Sequence, residues 1–463
     1  MPRIVLVGAG SVEFTRNLLG DILSSPVLRS SEIVLHDIDP ERLATGERMA
    51  RWTAAALGAE PTISVHLDRR EAFRGADFVI NTIQVGGARA VKLDFEVPAR
   101  FGLHYTIADT IGVGGVFRSL RTIPVVLGIV GDMAEVCPDA WFLNYTNPMA
   151  TVVRSVAESS GIKTVGLCHS VFWTIDTIAG YLGIPRDEIE AESAGVNHLA
   201  FIVRLERRGR DLYPDLRAFV ETDAVPPGDR VRAELFRRLG YYPTEASEQA
   251  AEYNPWFIGK RDAQGESTKR FHVAIGEYLT RVARNLDEYA ETRRKLDAGE
   301  PFEIERSGEY AATIAEAMTA GTEARIVGNV INHGGLISNL DEAACVEVPC
   351  TVDAQGVHPI AAGALPAQLA AYIRGAVDMQ ALVMEAALGH DRDAVDFAVM
   401  TDPIVQSHLT LDDTWRLTEA MIEAEAEWLP AWLGGGAKGW AQVSNSKREA
   451  FRGGARDEPR VTW

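Results

Sequence analysis

Cysteine is scarce in this chain of 463 residues: there are four, at 137, 168, 345 and 350. They follow no framework spacing, so a disulfide scaffold is excluded and a reducing, cytoplasmic setting is expected. Cations are outnumbered, 46 Lys and Arg against 65 Asp and Glu, for a formal net charge of −19. That balance argues against a nucleic-acid partner, whose phosphates need clustered Lys and Arg, and against an anionic membrane surface. No apolar run reaches the ~18 residues of a membrane span. The opening MPRIVLVGAG is apolar for a strand's length only and lacks a small-residue cleavage site, so no signal peptide is expected. Internal repeats and low-complexity tracts are missing as well. What remains is a globular composition, 46% hydrophobic and 24% charged, in a chain long enough for two or three lobes and a large core.

Strands and helices alternate through the first part of the chain. Ile4–Val7, Ile33–His36, Ile63–His66, Ala76–Thr82, Trp141–Tyr145 and Thr164–Cys168 read as strands. Helices are expected around Phe14–Ile22, Glu41–Leu57 and residues 119–136. This rhythm predicts an α/β fold, with a Rossmann-type parallel sheet of the lactate/malate dehydrogenase kind over residues 1–190. Residues 191–463 are expected to form a larger, mixed, mainly helical domain for substrate, metal and oligomerisation. Long helical patterns fall at 366–390 and 411–432, and Gly434–Gly436 is a flexible break.

Gly8-Ala9-Gly10-Ser11 follows a strand and opens a helix. In that setting Gly8 permits a tight turn, Gly10 lets backbone approach a pyrophosphate, and the helix start offers free N–H groups. Glu13 stands where a third glycine would complete the fingerprint. Asp37 closes the second strand, where a carboxylate holds the ribose hydroxyls of NAD and repels the extra phosphate of NADP. Thr82, at the end of the fourth strand, joins Gly8, Gly10, Ser11 and Asp37 as a cofactor-side candidate.

Four further strings look chemical. Asp109-Thr110-Ile111-Gly112-Val113-Gly114-Gly115, with Arg118 and Arg121, reads as a mobile glycine loop able to close over a polar ligand. Asn147 follows a strand in Asn144-Tyr145-Thr146-Asn147-Pro148, well placed to reach a ligand. Cys168-His169-Ser170 lies at another strand end and Asn197-His198 precedes an apolar run. A thiolate and an imidazole about thirty residues apart can converge on a divalent transition metal. Cys168 with His169 could equally be a nucleophile–base pair, provided both lie past the strand end.

These strings, with Glu252-Tyr253, Pro255-Trp256-Phe257 and Glu347-Val348-Pro349, occur in one order from residue 4 to beyond 360. The chain resembles glycoside hydrolase family 4, the NAD- and manganese-dependent glycosidases, which depart from the usual two-carboxylate mechanism. The resemblance implies a cycle: NAD takes a hydride from C3 of the sugar, a base removes the acidified C2 proton, the C1 substituent is eliminated, water adds and the hydride returns. It implies Cys168 and His198 as ligands of Mn²⁺ or another divalent cation, Asn147 and Arg118 on the substrate side, and Asp109 near the sugar. Tyr253 is implied as the C2 base, needing its pKa lowered by a metal or an Arg. Cys-His-Ser resembles the branch acting on unphosphorylated α-galactosides and α-glucosides. His169 would there protonate the aglycone or orient a neighbour, two roles that the residues leave equal. Phe172 and Gln249 depart from the family pattern near the sugar or aglycone. Uronides are the alternative substrates, with Arg118 or Lys269/Arg270 binding the carboxylate. A plain NAD-dependent dehydrogenase, consuming NAD, and an NAD-binding sensor are the rivals. A small-molecule glycoside is the expected partner, and the family implies a homodimer or homotetramer.

Overall fold

The structure is a computed structural model in which residues 1–259, 265–301, 303–304 and 306–434 are described. The β-branched run Arg3–Val7 (β1) is a buried central strand. Glu32–His36 (β2), Thr62–His66 (β3), Phe78–Asn81 (β4), Trp141–Asn144 (β5) and Lys163–Gly166 (β6) join it, all in parallel. Their spatial order, β3-β2-β1-β4-β5-β6, is the doubly wound Rossmann order, with its crevice between β1 and β4. The crossovers carry helices Val12–Ser24 (α1), Pro40–Leu57 (α2), Arg69–Phe73 (α3), Gly87–Ala99 (α4), Gly112–Val136 (α5) and Met149–Ser159 (α6), and Ser170–Leu182 (α7) follows β6. Helix α1 buries Leu18, Leu19 and Ile22 against the sheet, as its 3.6-residue pattern requires. Helix α2 starts where Asp39 accepts the N–H groups of Glu41 and Arg42, and it stops at Gly58 in the left-handed region.

The second half starts no separate sheet. Glu190–Val196 (β7), Leu199–Arg207 (β8), Arg210–Asp211 (β9), Tyr242–Pro243 (β10), Ala324–Ile331 (β11), Cys345–Asp353 (β12) and Gly356–Pro359 (β13) continue the first one. Strand β11 pairs antiparallel with β6, setting Asn329 opposite Gly166, and β12, β7, β8 and β10 follow outward. Gly166 is required at the seam. A Cβ there would meet the Met149 sulfur at 2.5 Å and the Asn329 Cβ at 2.9 Å.

Three expectations change. The Asp109–Gly115 string is not an open, mobile loop: α5 begins at Gly112, and its glycines are buried and close-packed. A Cβ on Gly114 would sit 2.5 Å from the Ala108 carbonyl oxygen, and one on Gly115 would sit 2.6 Å from the Thr110 carbonyl carbon. The pattern over 411–432 is a shorter helix, Leu411–Ala424, whose C-cap is the buried Glu425. Helix α5 does have the length and hydropathy of a membrane span, although 78% of that stretch is buried inside the protein, where it is a core helix. Of the Gly434–Gly436 break, residues 435 and 436 lie outside the described residues.

Arg121 on α5 is also not a ligand group. It is fully buried, with 2.6 Å to Asp94 on α4 and 2.7 Å to Glu425. Removing the cation from such a cluster strands its carboxylates in a low-dielectric interior. Arg121→Ala is therefore expected to cost about 3–5 kcal/mol, read as a lowered midpoint of thermal unfolding.

Candidate active site

A cleft of about 1200 Å³ runs along the carboxyl ends of the parallel strands. Gly8, Gly10, Ser11, Asp37 and Thr82 line one end, and Asp109, Arg118, Asn147, Cys168, His169 and His198 line the other. A helix, Glu277–Ala298, forms a further wall with Tyr278 and Tyr289. At the first end Gly8 adopts φ +84 against Thr82, whose hydroxyl donates to the Val7 carbonyl at 3.0 Å. Gly10 is demanded by its neighbours: a Cβ would lie 2.5 Å from Arg42 Cβ and 2.7 Å from an Asp37 oxygen. Its N–H donates to Asp37 at 2.8 Å, so the glycine turn and the carboxylate are built as one unit.

At the second end three donors converge. Cys168 follows β6, past the strand end, and His198 occupies the two-residue turn of the β7–β8 hairpin. The thiol lies 3.5 Å from His198 Nε2 and 3.9 Å from Glu245, and Glu245 lies 3.4 Å from the same nitrogen. His198 at φ +63 and Glu245 at φ +70 both occupy the left-handed region, a strain that functional sites tolerate. Sulfur, nitrogen and carboxylate oxygen within 4.8 Å of one another form a set that could hold a divalent transition metal with positions left open.

The histidine is held ready for that role. Thr110 donates to Asp109 at 2.7 Å and lies 2.8 Å from His198 Nδ1. The hydroxyl donates its one proton to Asp109, so Nδ1–H donates to Thr110, and Nε2, once it gives up its own proton, turns its lone pair toward Cys168 and Glu245. Burial alone would lower the His198 pKa, but Glu245, Cys168 and Asp109 push it up to about 10. Burial raises the Cys168 thiol, against the pull of His198. Asp109 is held below the ordinary carboxylate range despite its burial, by the charges of His198 and Arg118 and by hydrogen bonds from Thr110 and Asn147. Asn147 gives its amide N–H to Asp109 at 2.9 Å, while its own buried side-chain oxygen has no partner. Gln249 also donates to Asp109, at 3.2 Å. Arg118 donates to the Asn147 carbonyl and lies over the Tyr278 ring.

A sequence model described as Family 4 glycosyl hydrolase matches residues 3–184, and that of the family's C-terminal domain matches residues 193–405. The chain belongs to glycosyl hydrolase family 4. It is 41% identical to an α-galactosidase of Bacillus subtilis (strain 168), over 93% of this chain and 99% of that protein. It is 34% identical to an α-galactosidase of Rhizobium meliloti (strain 1021), over 99% and 96%. A solved 6-phospho-α-glucosidase from gut microorganisms, in complex with NAD and Mn²⁺, shares the fold at a TM-score of 0.75 and 20% identity, over 93% and 99%.

Within this family 4 chain the structure brings together every expected site residue except Tyr253, which is buried and is not among those lining the cleft. The Tyr253 hydroxyl lacks a partner in hydrogen-bonding geometry. Burial, then Asp109, Glu252 and Glu245, push its pKa well above the ordinary value, opposite to what a base needs. His169 is partly exposed, with Nδ1 3.7 Å from Glu309. Gln249 lines the cleft; Phe172, Lys269 and Arg270 are not among its lining residues. Glu245 was missed because nothing in a Glu of an acidic stretch marks it as a ligand. Thr110 lay inside a quoted string, without a role that spacing could reveal.

Bound metal must displace protons from His198 and Cys168, whose pKa values are both raised, so affinity should climb with pH. Calorimetric titration of a divalent cation at pH 6.5 and 8.5 (about two units apart, spanning neutrality) should show tighter binding at the higher pH. Equal affinities would exclude the thiol and imidazole as ligands.

Proposed function

We propose that this family 4 enzyme hydrolyses unphosphorylated α-glycosides, α-galactosides foremost, with NAD and Mn²⁺. The observation that carries this reading is the meeting of Cys168, His198 and Glu245 in the same cleft as the Gly8–Asp37 unit. The α-galactosidases of Bacillus subtilis and Rhizobium meliloti support the choice of sugar. Asp37 at the strand end favours NAD over its phosphorylated form. When bound, the dinucleotide supplies a hydride acceptor and the cation a Lewis acid for the sugar's oxygens.

This chain's own groups do the rest. Cys168, His198 and Glu245 would hold the cation, with the unpartnered Asn147 oxygen turned to cation or sugar. Asp109 and Arg118 would orient the hydroxyls. Tyr253, buried against the cleft residues Asp109 and Gln249, would take the C2 proton, its phenol kept protonated by burial and then by Asp109, Glu252 and Glu245 until positive charge offsets them. His169, at the cleft wall beside Glu309, would face the aglycone.

One observation favours a uronide as the second reading: Arg118 is buried at the cleft and forms no ion pair among the described residues. We further place the enzyme in the cytoplasm as a homodimer or homotetramer, readings supported by four unpaired cysteines and by the exposed Trp173 and Trp256.

The test is a panel of p-nitrophenyl glycosides (α-galactoside, α-glucoside, both uronides and a 6-phosphoglucoside) assayed with and without NAD⁺ and Mn²⁺ while free NADH is followed. Nitrophenol release from the α-galactoside should need both additives and leave no net NADH. Accumulating NADH without nitrophenol would mean a plain dehydrogenase, and uronide preference would mean that Arg118 reads a carboxylate.

A further inference from the structure

Glu252 lies one residue before Tyr253 in the short 3-10 turn Ala251–Tyr253 and is wholly buried. Its carboxylate forms no ion pair among the described residues. It accepts instead the backbone N–H groups of three successive residues: Thr106 at 2.6 Å, Ile107 at 2.8 Å, and Ala108 at 3.0 and 3.1 Å to its two oxygens. Ala108 sits at φ +54, outside helix and strand geometry, and such a turn aims successive N–H groups at one anion. Burial pushes Glu252 up to about 7 against the pull of those N–H groups.

The residue after this clamped segment is Asp109. Its carboxylate meets Asn147, Thr110 and Gln249, and Thr110 carries the contact to His198 Nδ1. Thr106 also accepts from the Tyr278 N–H at 3.0 Å, and the Tyr278 hydroxyl meets Arg118. A carboxylate that is not itself at the cleft thus holds the backbone from which the metal-bearing end is hung.

We propose that Glu252 is a positioning residue: by clamping residues 106–108 it fixes Asp109, and through Thr110 it keeps the His198 lone pair on the cation side. This rests on the metal-dependent reading above. No cleft residue of the Gly8–Asp37 end is bonded to Glu252, so dinucleotide affinity should be independent of it.

The test measures Mn²⁺ binding to the full-length enzyme from the resonance signal of the free ion, and NAD⁺ binding by calorimetry, in Glu252→Gln, Thr110→Val and the double variant. The amide of Glu252→Gln keeps the shape and an acceptor for Thr106 and Ile107, but it removes the negative charge and sets its NH2 against the Ala108 N–H. Each single variant should weaken Mn²⁺ binding by about tenfold or more, the loss seen when groups orienting a metal ligand are removed. The double variant should be no weaker than the worse single, because both lie on one route. NAD⁺ affinity should stay within about twofold of wild type. Unchanged Mn²⁺ affinity in Glu252→Gln, additive losses in the double variant, or failure of Glu252→Gln to fold or to bind NAD⁺ would each overturn the proposal. A wild-type enzyme that binds no Mn²⁺ would overturn the metal-dependent reading itself, and this inference with it.

Discussion

The site depends on one seam, where the antiparallel strand β11 docks against β6 and sets Asn329 opposite Gly166. Without it the β7–β8 hairpin would have no reason to lie beside the end of the Rossmann sheet, and His198 would not meet Cys168. A buried carboxylate locks the seam: Glu347 on β12, opposite Gly195 of β7, accepts amide N–H bonds from Asn329 at 3.2 Å and Asn197 at 3.3 Å. Asn197 is the residue before His198 in the hairpin turn. Glu347 has one oxygen without a partner, and burial raises its pKa to about 7. Such a group adds little net stability; its use is to specify one register.

The same architecture concentrates negative charge. Asp109, Glu245, Glu347 and the Cys168 thiol surround a single imidazole, and His198 keeps its proton far above the ordinary range as a result. Like charges held this close in a buried cluster favour a cation, and the left-handed backbone at His198 and Glu245, costing about 1–3 kcal/mol each, is tolerated because the surrounding fold over-determines both positions. At the other end of the cleft the design is steric: Gly8 is a glycine because its φ is +84, and Gly10 because Asp37 and Arg42 leave no room for a Cβ.

Much of this was legible from residues alone. The six parallel strands announce themselves as short apolar runs, and five of them, all but β3, carry a candidate at the carboxyl end, where strand polarity alone puts it. The glycine string at 112–115 was legible as special but not as what it is. Glycines permit either freedom or close approach, and only the neighbours, the carbonyls of Ala108 and Thr110, decide for close approach. Arg121 was ambiguous for the same reason: its partners Asp94 and Glu425 are 27 and 304 residues away along the chain.

The sequence by itself determined the six parallel strands of the first half, the dinucleotide-type turn with its carboxylate, and the identities of the thiol and imidazole, because these are written in local periodicity and local turns. Only the tertiary structure decided that Glu245 completes their cluster, that Thr110 sets the histidine's tautomer, that Tyr253 is buried against Asp109 and Gln249, and that Glu252 clamps the backbone before Asp109. Those facts come from contacts between segments far apart in the chain, whose geometry is set by the seam and by core packing and leaves no trace in residue spacing.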